Sequence, residues 1–426
     1  MRRNPLLSFL SLALKTTIAI VILIVGSVAS AQGYWIVHQF SDINEGWDPF
    51  AGLISDQAGN LYGSTYFGGG GADGCKSRCG EVFELSPPVF PGDAWVLTVP
   101  YSFHGVRAGG VVDGGKPLTS LVMDGAGNLY GTTFMGDTVF KLTPPTTVGA
   151  PWIHTIIFDL TGVGGDQPLT PLVFDRSGNL YGATRVGRVA GTVFKLTPPA
   201  SPGGAWTGTA LHTFDHYRCG FPEGAIAVGS DGSVYGMASG CVIDGNGVVF
   251  RLTPPATPGG SWTYKVLHAF KLSDSCGPQG GVTLHQGNLY GTCNFYGVAG
   301  AVFELVRPTT AGGKWTENVL YQFAGGDDGA NPDGKLVFDK HGNIFGATGR
   351  GGTNDAGTIY KLIPPATPGA PWTKTTLHSF GGGTDGAGPV GSLIFGQSPH
   401  LLFGVTAHGG SAGVGTIFEI NPALAQ

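Results

Sequence analysis

Apolar and polar residues alternate along the chain in short runs, and Gly, Pro, Asn and Asp bound each run. Such runs read as half-buried β-strands. Residues 171–214 show the unit. PLVFD (171–175) is a first strand, and the turn Asp175-Arg176-Ser177-Gly178 leads into a second, NLYGAT (179–184). A glycine loop precedes a third strand, GTVFKL (191–196). The segment Pro198 to Trp206 precedes a fourth, GTALHTF (208–214). A five-residue phrase marks the recurrence, GNLYG in its commonest form. It starts at Gly59, Gly127, Gly178, Gly232, Gly287, Gly342 and, degraded to HLLFG, at His400, so the steps are 68, 51, 54, 55, 55 and 58 residues. A period of this size built from short strands predicts a propeller or solenoid. Four antiparallel strands in each of seven repeats predict an all-β fold, a seven-bladed β-propeller of four-stranded antiparallel blades. The repeats are numbered one to seven by these phrases.

The ends predict how the array closes. Tyr34–Phe40 (YWIVHQF) reads as a fourth strand with no first three before it, and Thr416–Ile420 (TIFEI) as a third strand with no fourth after it. The N-terminal strand is therefore expected to complete the last blade and remove an unpaired edge. The first strand, with small residues such as Ala51-Gly52, Ala225, Gly281 and Gly391-Ser392, suits the crowded axis. The Asp-x-x-Gly-Asn turn after it calls for an Asx-type bond and a glycine at positive φ. The loop between third and fourth strands has a fixed length, whereas the loop between second and third strands varies. Variation confined to one face of a rigid frame marks that face for binding.

Composition then narrows the class. The chain has 426 residues with 75 glycines, yet hydrophobic residues reach 42% on a fixed grid, so glycine is turn punctuation rather than low complexity. Arg2, Arg3 and Lys15 precede an apolar run, 17–28, and Ala29-Ser30-Ala31 fits a cleavage site. Residues 1–31 are expected to be a signal peptide, with an uncleaved anchor as the alternative. Residues 32–422 form the propeller and 423–426 a short tail. No membrane span is expected after cleavage, and the product is secreted or periplasmic. The net charge of −5 becomes about −8 without those three cations, which argues against nucleic acid as partner. A monomer is expected. All six cysteines fall in the exported part, as disulfides do in an oxidising compartment. Their placement at one face predicts the pairs Cys75–Cys79, Cys219–Cys241 and Cys276–Cys293.

Candidate chemistry is sparse. His38, His212, His268 and His378 share a slot with Tyr101, Phe158 and Tyr321, which reads as a half-buried ring position rather than a ligand set. The tryptophans at 95, 152, 206, 262, 315 and 372 recur in every period and read as packing. Gly409 to Gly413 spells G-x-S-x-G, but no helix follows to make a nucleophile elbow. The acidic loops 42–48 and 327–333 are candidates for structural Ca²⁺, with solvated turns as the simpler reading; no other cofactor is expected. The residues ending each second strand are expected at the mouth of the ring: Tyr66, Phe134, Arg185, Ser239, Asn294, Gly349 and Ala407. With Trp47, Arg350 and His408 they offer aromatics and cations suited to a glycan or peptide.

The phrase GNLYGTT (127–133) with TVFKLTP (138–144), GNLYGAT (178–184) with GTVFKLTP (191–198), and LHSF (377–380) resemble the GloVer (Gloeo_Verruco) tandem repeat of exported bacterial proteins. The resemblance covers residues 33–422. It implies an exported repeat propeller and supplies no catalytic residues. Three function classes follow: a non-enzymatic binding module for a glycan, peptide or cell-surface partner, a secreted lyase or hydrolase with a site at the central funnel, and a structural envelope protein.

Overall fold

The computed structural model describes residues 33–425 except 42–44, 70–78, 91, 108–109, 148, 188–189, 216–219, 241–244, 272–276, 296–297, 311 and 368. Its regular structure is almost entirely strand. Repeats one, two, three and six each form a separate four-stranded antiparallel sheet in sequential order. Repeats four and five join in one eight-stranded sheet through a single parallel bridge, Ala225 to Gly281. The remaining four-stranded sheet sets the N-terminal strand Tyr34–Gln39 beside Thr416–Ile420, with Leu402–His408 and Ala387–Phe395 beyond. Tyr34 faces Ile420 and Gln39 faces Thr416 in an antiparallel ladder. The architecture is β-propeller-like.

The core lies between sheets. Seven buried clusters each join consecutive repeats. One holds Tyr62 and Val82 of repeat one with Leu129 and Phe140 of repeat two. Another joins Phe403 and Ile417 of repeat seven to Leu53 and Phe83 of repeat one. The tryptophan before each fourth strand packs on the phrase aromatic of the preceding repeat, as Trp152 does on Tyr62 and Trp206 on Tyr130, with ring centroids 6.3 and 6.0 Å apart. The C-terminal tail also packs. Ala425 is buried in the cluster of Phe345 and Phe418, and the Asn421 amide donates to the Gly33 carbonyl at 2.8 Å.

The local chemistry explains the phrase. Its first glycine has left-handed φ, +80° at Gly127 and +79° at Gly178. Its last glycine lies under the aromatic ring of the third strand: a methyl group on Gly131 would fall 2.6 Å from Phe140 Cζ. The preceding aspartate organises the turn. Asp124 accepts from Ala126 N at 2.9 Å, Asn128 N at 3.0 Å, Asn128 Nδ2 at 2.7 Å and the Tyr130 hydroxyl at 3.0 Å. Repeats one, three and six repeat the amide contacts. In repeat four Asp231 instead takes Ser233 and Arg251. Burial alone would raise the Asp124 pKa, but these hydrogen bonds outweigh it and hold the carboxyl below its ordinary range.

The shared ring slot of the fourth strand is a clasp between repeats. His378 stacks on Tyr34 at 3.6 Å, Tyr101 on His154 at 4.6 Å and His212 on Tyr264 at 4.2 Å. Elsewhere the same joint is an ion pair, His268 with Glu317 at 3.2 Å, or a cation over a ring, Lys374 on Tyr321. The packing role assigned to these histidines therefore holds where they are described.

One expectation is corrected. The first strands of repeats one to three shrink to Ile54–Ser55, Val122–Met123 and Val173–Phe174. The ladder breaks where the chain passes the axis. Repeats four to seven show the same break as register shifts, such as that between Asp333 and Val337, and in repeat three Pro171 lacks the N–H a ladder needs.

Asp124→Asn should lower stability by about 1–3 kcal/mol, because charge-assisted bonds become weaker neutral ones. The same group sets a pH dependence. Its folded pKa is depressed, so its contribution is complete above the ordinary carboxylate range and declines as pH falls through and below that range. Urea unfolding at neutral and acid pH checks both: the gap between wild type and variant should narrow in acid.

Candidate functional site: the central cavity and its mouth

A proline recurs in every repeat, ahead of the shortened first strands of repeats one to three and near the start of the first strand in repeats four to seven: Pro49, Pro117, Pro168, Pro222, Pro278, Pro332 and Pro389. Each of six meets the glycine before the third strand of the preceding repeat. A methyl group on Gly247 would fall 2.5 Å from Pro278 Cδ, and one on Gly415 2.6 Å from Pro49 Cδ, the latter joining repeat seven to repeat one. At the remaining joint Asp137 replaces glycine, and its Oδ1 accepts from Gln167 N at 2.8 Å. These contacts fix where the following residues lie. The residue after each proline is Phe50, Leu118, Leu169, Glu223, Gln279, Asp333 or Val390.

Just beyond lies a cavity of about 140 Å³ to which all seven repeats contribute, among them Ala51, Ser120, Pro171, Ala225, Gly280, Lys335 and Ser392. Its wall is divided. Phe50, Leu118 and Leu169 of repeats one to three make an apolar arc, and Asp333 and Lys335 of repeat six are the charged residues lining it. Asp333 is reached by water inside the cavity yet surrounded by protein. Burial pushes its carboxyl up against a counteracting bond from the Gly334 amide. Burial pushes the Lys335 ammonium down. Among the described residues no ion pair joins them to each other or to a third group.

At the mouth a series of rings leads to Phe50. Trp47 and Phe67 exchange backbone hydrogen bonds of 3.0 and 3.2 Å, with ring centroids 5.7 Å apart. Phe67 meets Tyr66 at 4.5 Å, and Tyr66 meets Phe50 at 5.9 Å. Lys116 lies over the Tyr66 ring at 4.5 Å and donates to its hydroxyl at 3.0 Å. Across the mouth Arg185 Nε stands 3.6 Å from Glu223 Oε1, with its guanidinium over Phe221. Burial raises the Glu223 pKa, Ser239 and Arg185 oppose that, and Asp333 adds to it. Burial likewise raises Asp48, while His408 opposes.

The sequence-selected residues occupy equivalent places beside the starts of the first strands. Tyr66, Phe134 and Arg185 follow their strands and donate backbone bonds to Asp48, Lys116 and Gln167 carbonyls. Asn294, Arg350 and His408 instead lie within the second strands 288–295, 344–350 and 402–408. Tyr66, Arg185 and His408 interact with mouth residues, and Arg350 and His408 are exposed. Ala407 does not face the mouth, being 2% exposed, because strand alternation turns it into the core. Sequence reasoning missed Phe50, Lys116, Glu223 and Lys335, and placed Asp333 only as the end of the acidic loop 327–333. The recurring proline was the available signal.

Other candidates resolve differently. Gly409–Gly413 is a turn between two strands, and Ser411 N donates to Gln39 Oε1 at 2.7 Å. Asp328 caps its loop, accepting from Ala324 N, the Tyr321 hydroxyl and Lys374 Nζ at 2.8, 2.8 and 2.9 Å. Among the described residues no group of three His, Cys, Asp or Glu is placed to hold a metal. Asp42 and Asn44 lie outside the described residues. So do Cys75, Cys219, Cys241 and Cys276; Cys79 and Cys293 are buried, and no described cysteine is a free thiol. No described helix is long and apolar enough to cross a membrane.

A repeat model, the Gloeobacter/Verrucomicrobia repeat, matches residues 25–241 and 221–426. No curated protein matches the chain. Among solved structures, virginiamycin B lyase from Staphylococcus aureus aligns with a TM-score of 0.54 at 12% identity, covering 91% of this chain and 98% of that one. The extracellular domain of a hybrid two-component system from B. thetaiotaomicron aligns at 0.55 and 14%, covering 92% and 42%. PorZ, a surface component of the type-IX secretion system of Porphyromonas gingivalis, aligns at 0.54 and 14%, covering 88% and 46%. At these identities the likeness is one of fold.

The electrostatics of the mouth give a signed expectation. Arg185→Ala should push the Glu223 pKa higher still, and Asp333→Asn should lower it. Carboxyl-carbon NMR titration reads both; shifts of the opposite sign would contradict the arrangement.

Proposed function

The chain belongs to the Gloeobacter/Verrucomicrobia repeat family, and from that premise we propose an exported seven-bladed propeller that binds a glycan or peptide at its mouth. The seven interfacial clusters and the ladder between residues 34–39 and 416–420 support a closed ring. The basic-then-apolar N-terminus and Ala29-Ser30-Ala31 support export by a cleaved signal peptide. The cysteine pairs 75–79, 219–241 and 276–293 would then secure loops of the binding face, and non-reducing peptide mapping should recover those three pairs and no others.

The observation that carries the binding role is the ring series Trp47, Phe67, Tyr66 and Phe50, which runs to the rim of the central cavity with Lys116 over it. Aromatic faces joined to a few polar groups suit sugars and peptides. Glycan and peptide arrays probed with the mature protein test this. Tyr66→Ala, and a Trp47/Arg185/Arg350 triple alanine variant, should each bind the identified ligand at least about tenfold more weakly, ~1.4 kcal/mol. Undiminished binding by both would refute the mouth as the site.

A second reading, a secreted lyase or hydrolase, draws on one observation. Glu223 and Asp333 are both raised in pKa, and the Asp333 charge is one of the causes at Glu223, an environment that suits a general acid. Mass spectrometry of the array ligand after incubation separates the readings, since binding alone leaves its mass unchanged.

A further inference from the structure

The cavity below the mouth poses an electrostatic problem. Asp333 and Lys335 both line it, on either side of Gly334, whose φ of +77° bends the chain between them. No ion pair neutralises either among the described residues. Water reaches both groups, but each is so far surrounded by protein that it gains from a partner of opposite charge, which a ligand entering the cavity would supply.

The nature of that ligand follows by elimination. A neutral sugar would hydrogen-bond both groups through its hydroxyls but bring no charge opposite either. A metal cation would find one carboxylate and be repelled by the ammonium. A simple anion would satisfy Lys335 and be repelled by Asp333. A molecule that carries both charges satisfies both groups. The opposite wall adds a third requirement, because Phe50, Leu118 and Leu169 gain only from an apolar partner. Size adds a fourth: about 140 Å³ resembles a cavity that holds one benzene, so a single side-chain-sized unit fits and a sugar chain does not.

We propose that the central cavity binds an α-amino acid with an apolar side chain, its ammonium on Asp333, its carboxylate on Lys335 and its side chain against Phe50, Leu118 and Leu169. This rests on the reading of the mouth as a binding face, since Phe50 belongs to both. It narrows the ligand from glycan or peptide to a small zwitterion at the cavity floor.

Isothermal titration calorimetry of the full mature chain tests it with leucine and phenylalanine, their N-acetyl derivatives and their amides. The free amino acids should bind, and loss of either charge should weaken binding at least tenfold. Asp333→Asn should abolish the discrimination against the N-acetyl forms, and Lys335→Met that against the amides. The derivative series is read on the unmodified protein, so it decides the matter even where a variant fails to fold. Equal affinity across the series, or variants that leave the discrimination intact, would overturn the proposal. Silent amino acids with a glycan or peptide bound at the mouth would overturn the proposal and leave the mouth reading standing. Silence in both assays would remove both.

Discussion

The interface between consecutive sheets is what the molecule depends on. A four-stranded sheet of this length cannot bury both faces by itself, and here every large cluster is shared. Tyr62 has a wall of its pocket from Trp152 of the next repeat, and Phe403 has one from Trp95. Each repeat is therefore stable only between two neighbours. The first and last repeats satisfy that condition through each other, by the Phe403–Leu53 cluster and by the strand 34–39 lying on 416–420. The proline–glycine contacts near the axis and the ring clasps at the rim repeat the same logic at two further radii.

Uniform interfaces leave the variable residues to function. Where every repeat must present glycine under an aromatic ring or aspartate in a turn, the positions carry no information about a ligand. The residue after each first-strand proline is different. Apart from Val390, which packs on the core between repeats seven and one, it varies from Phe50 to Glu223 to Asp333, and the cavity lining acquires apolar residues in repeats one to three and charged ones in repeat six. A symmetrical frame thus supports an asymmetric lining.

Much of this was legible in the chain. The period, the strand order, the Asp-Gly turn and the ring slot follow from residue spacing because they are local or repeated. The mouth was only partly legible. Tyr66, Arg185 and His408 could be placed by counting from the phrase, but whether a strand continues one residue further decides which way Ala407 turns, and spacing does not settle that. Lys335 was hidden for another reason: its significance lies in residues such as Leu118 and Leu169, distant in sequence and brought near only around the axis. The shortened first strands were obscured likewise, since their interruption reflects crowding among repeats rather than any single residue.

The ladder between residues 34–39 and 416–420 also dictates a temporal order. The segment made first has its partner in the segment made last, some 380 residues later by the difference of their numbers. Loop closure over so long a chain costs only slowly more with length, but it cannot begin until synthesis is nearly complete. Six repeats can assemble along the growing polypeptide, whereas the seventh must wait. A nascent chain therefore carries Tyr34–Gln39 without its partner until the end of synthesis, and a chain truncated at its N-terminus leaves the edge of Thr416–Ile420 unpaired.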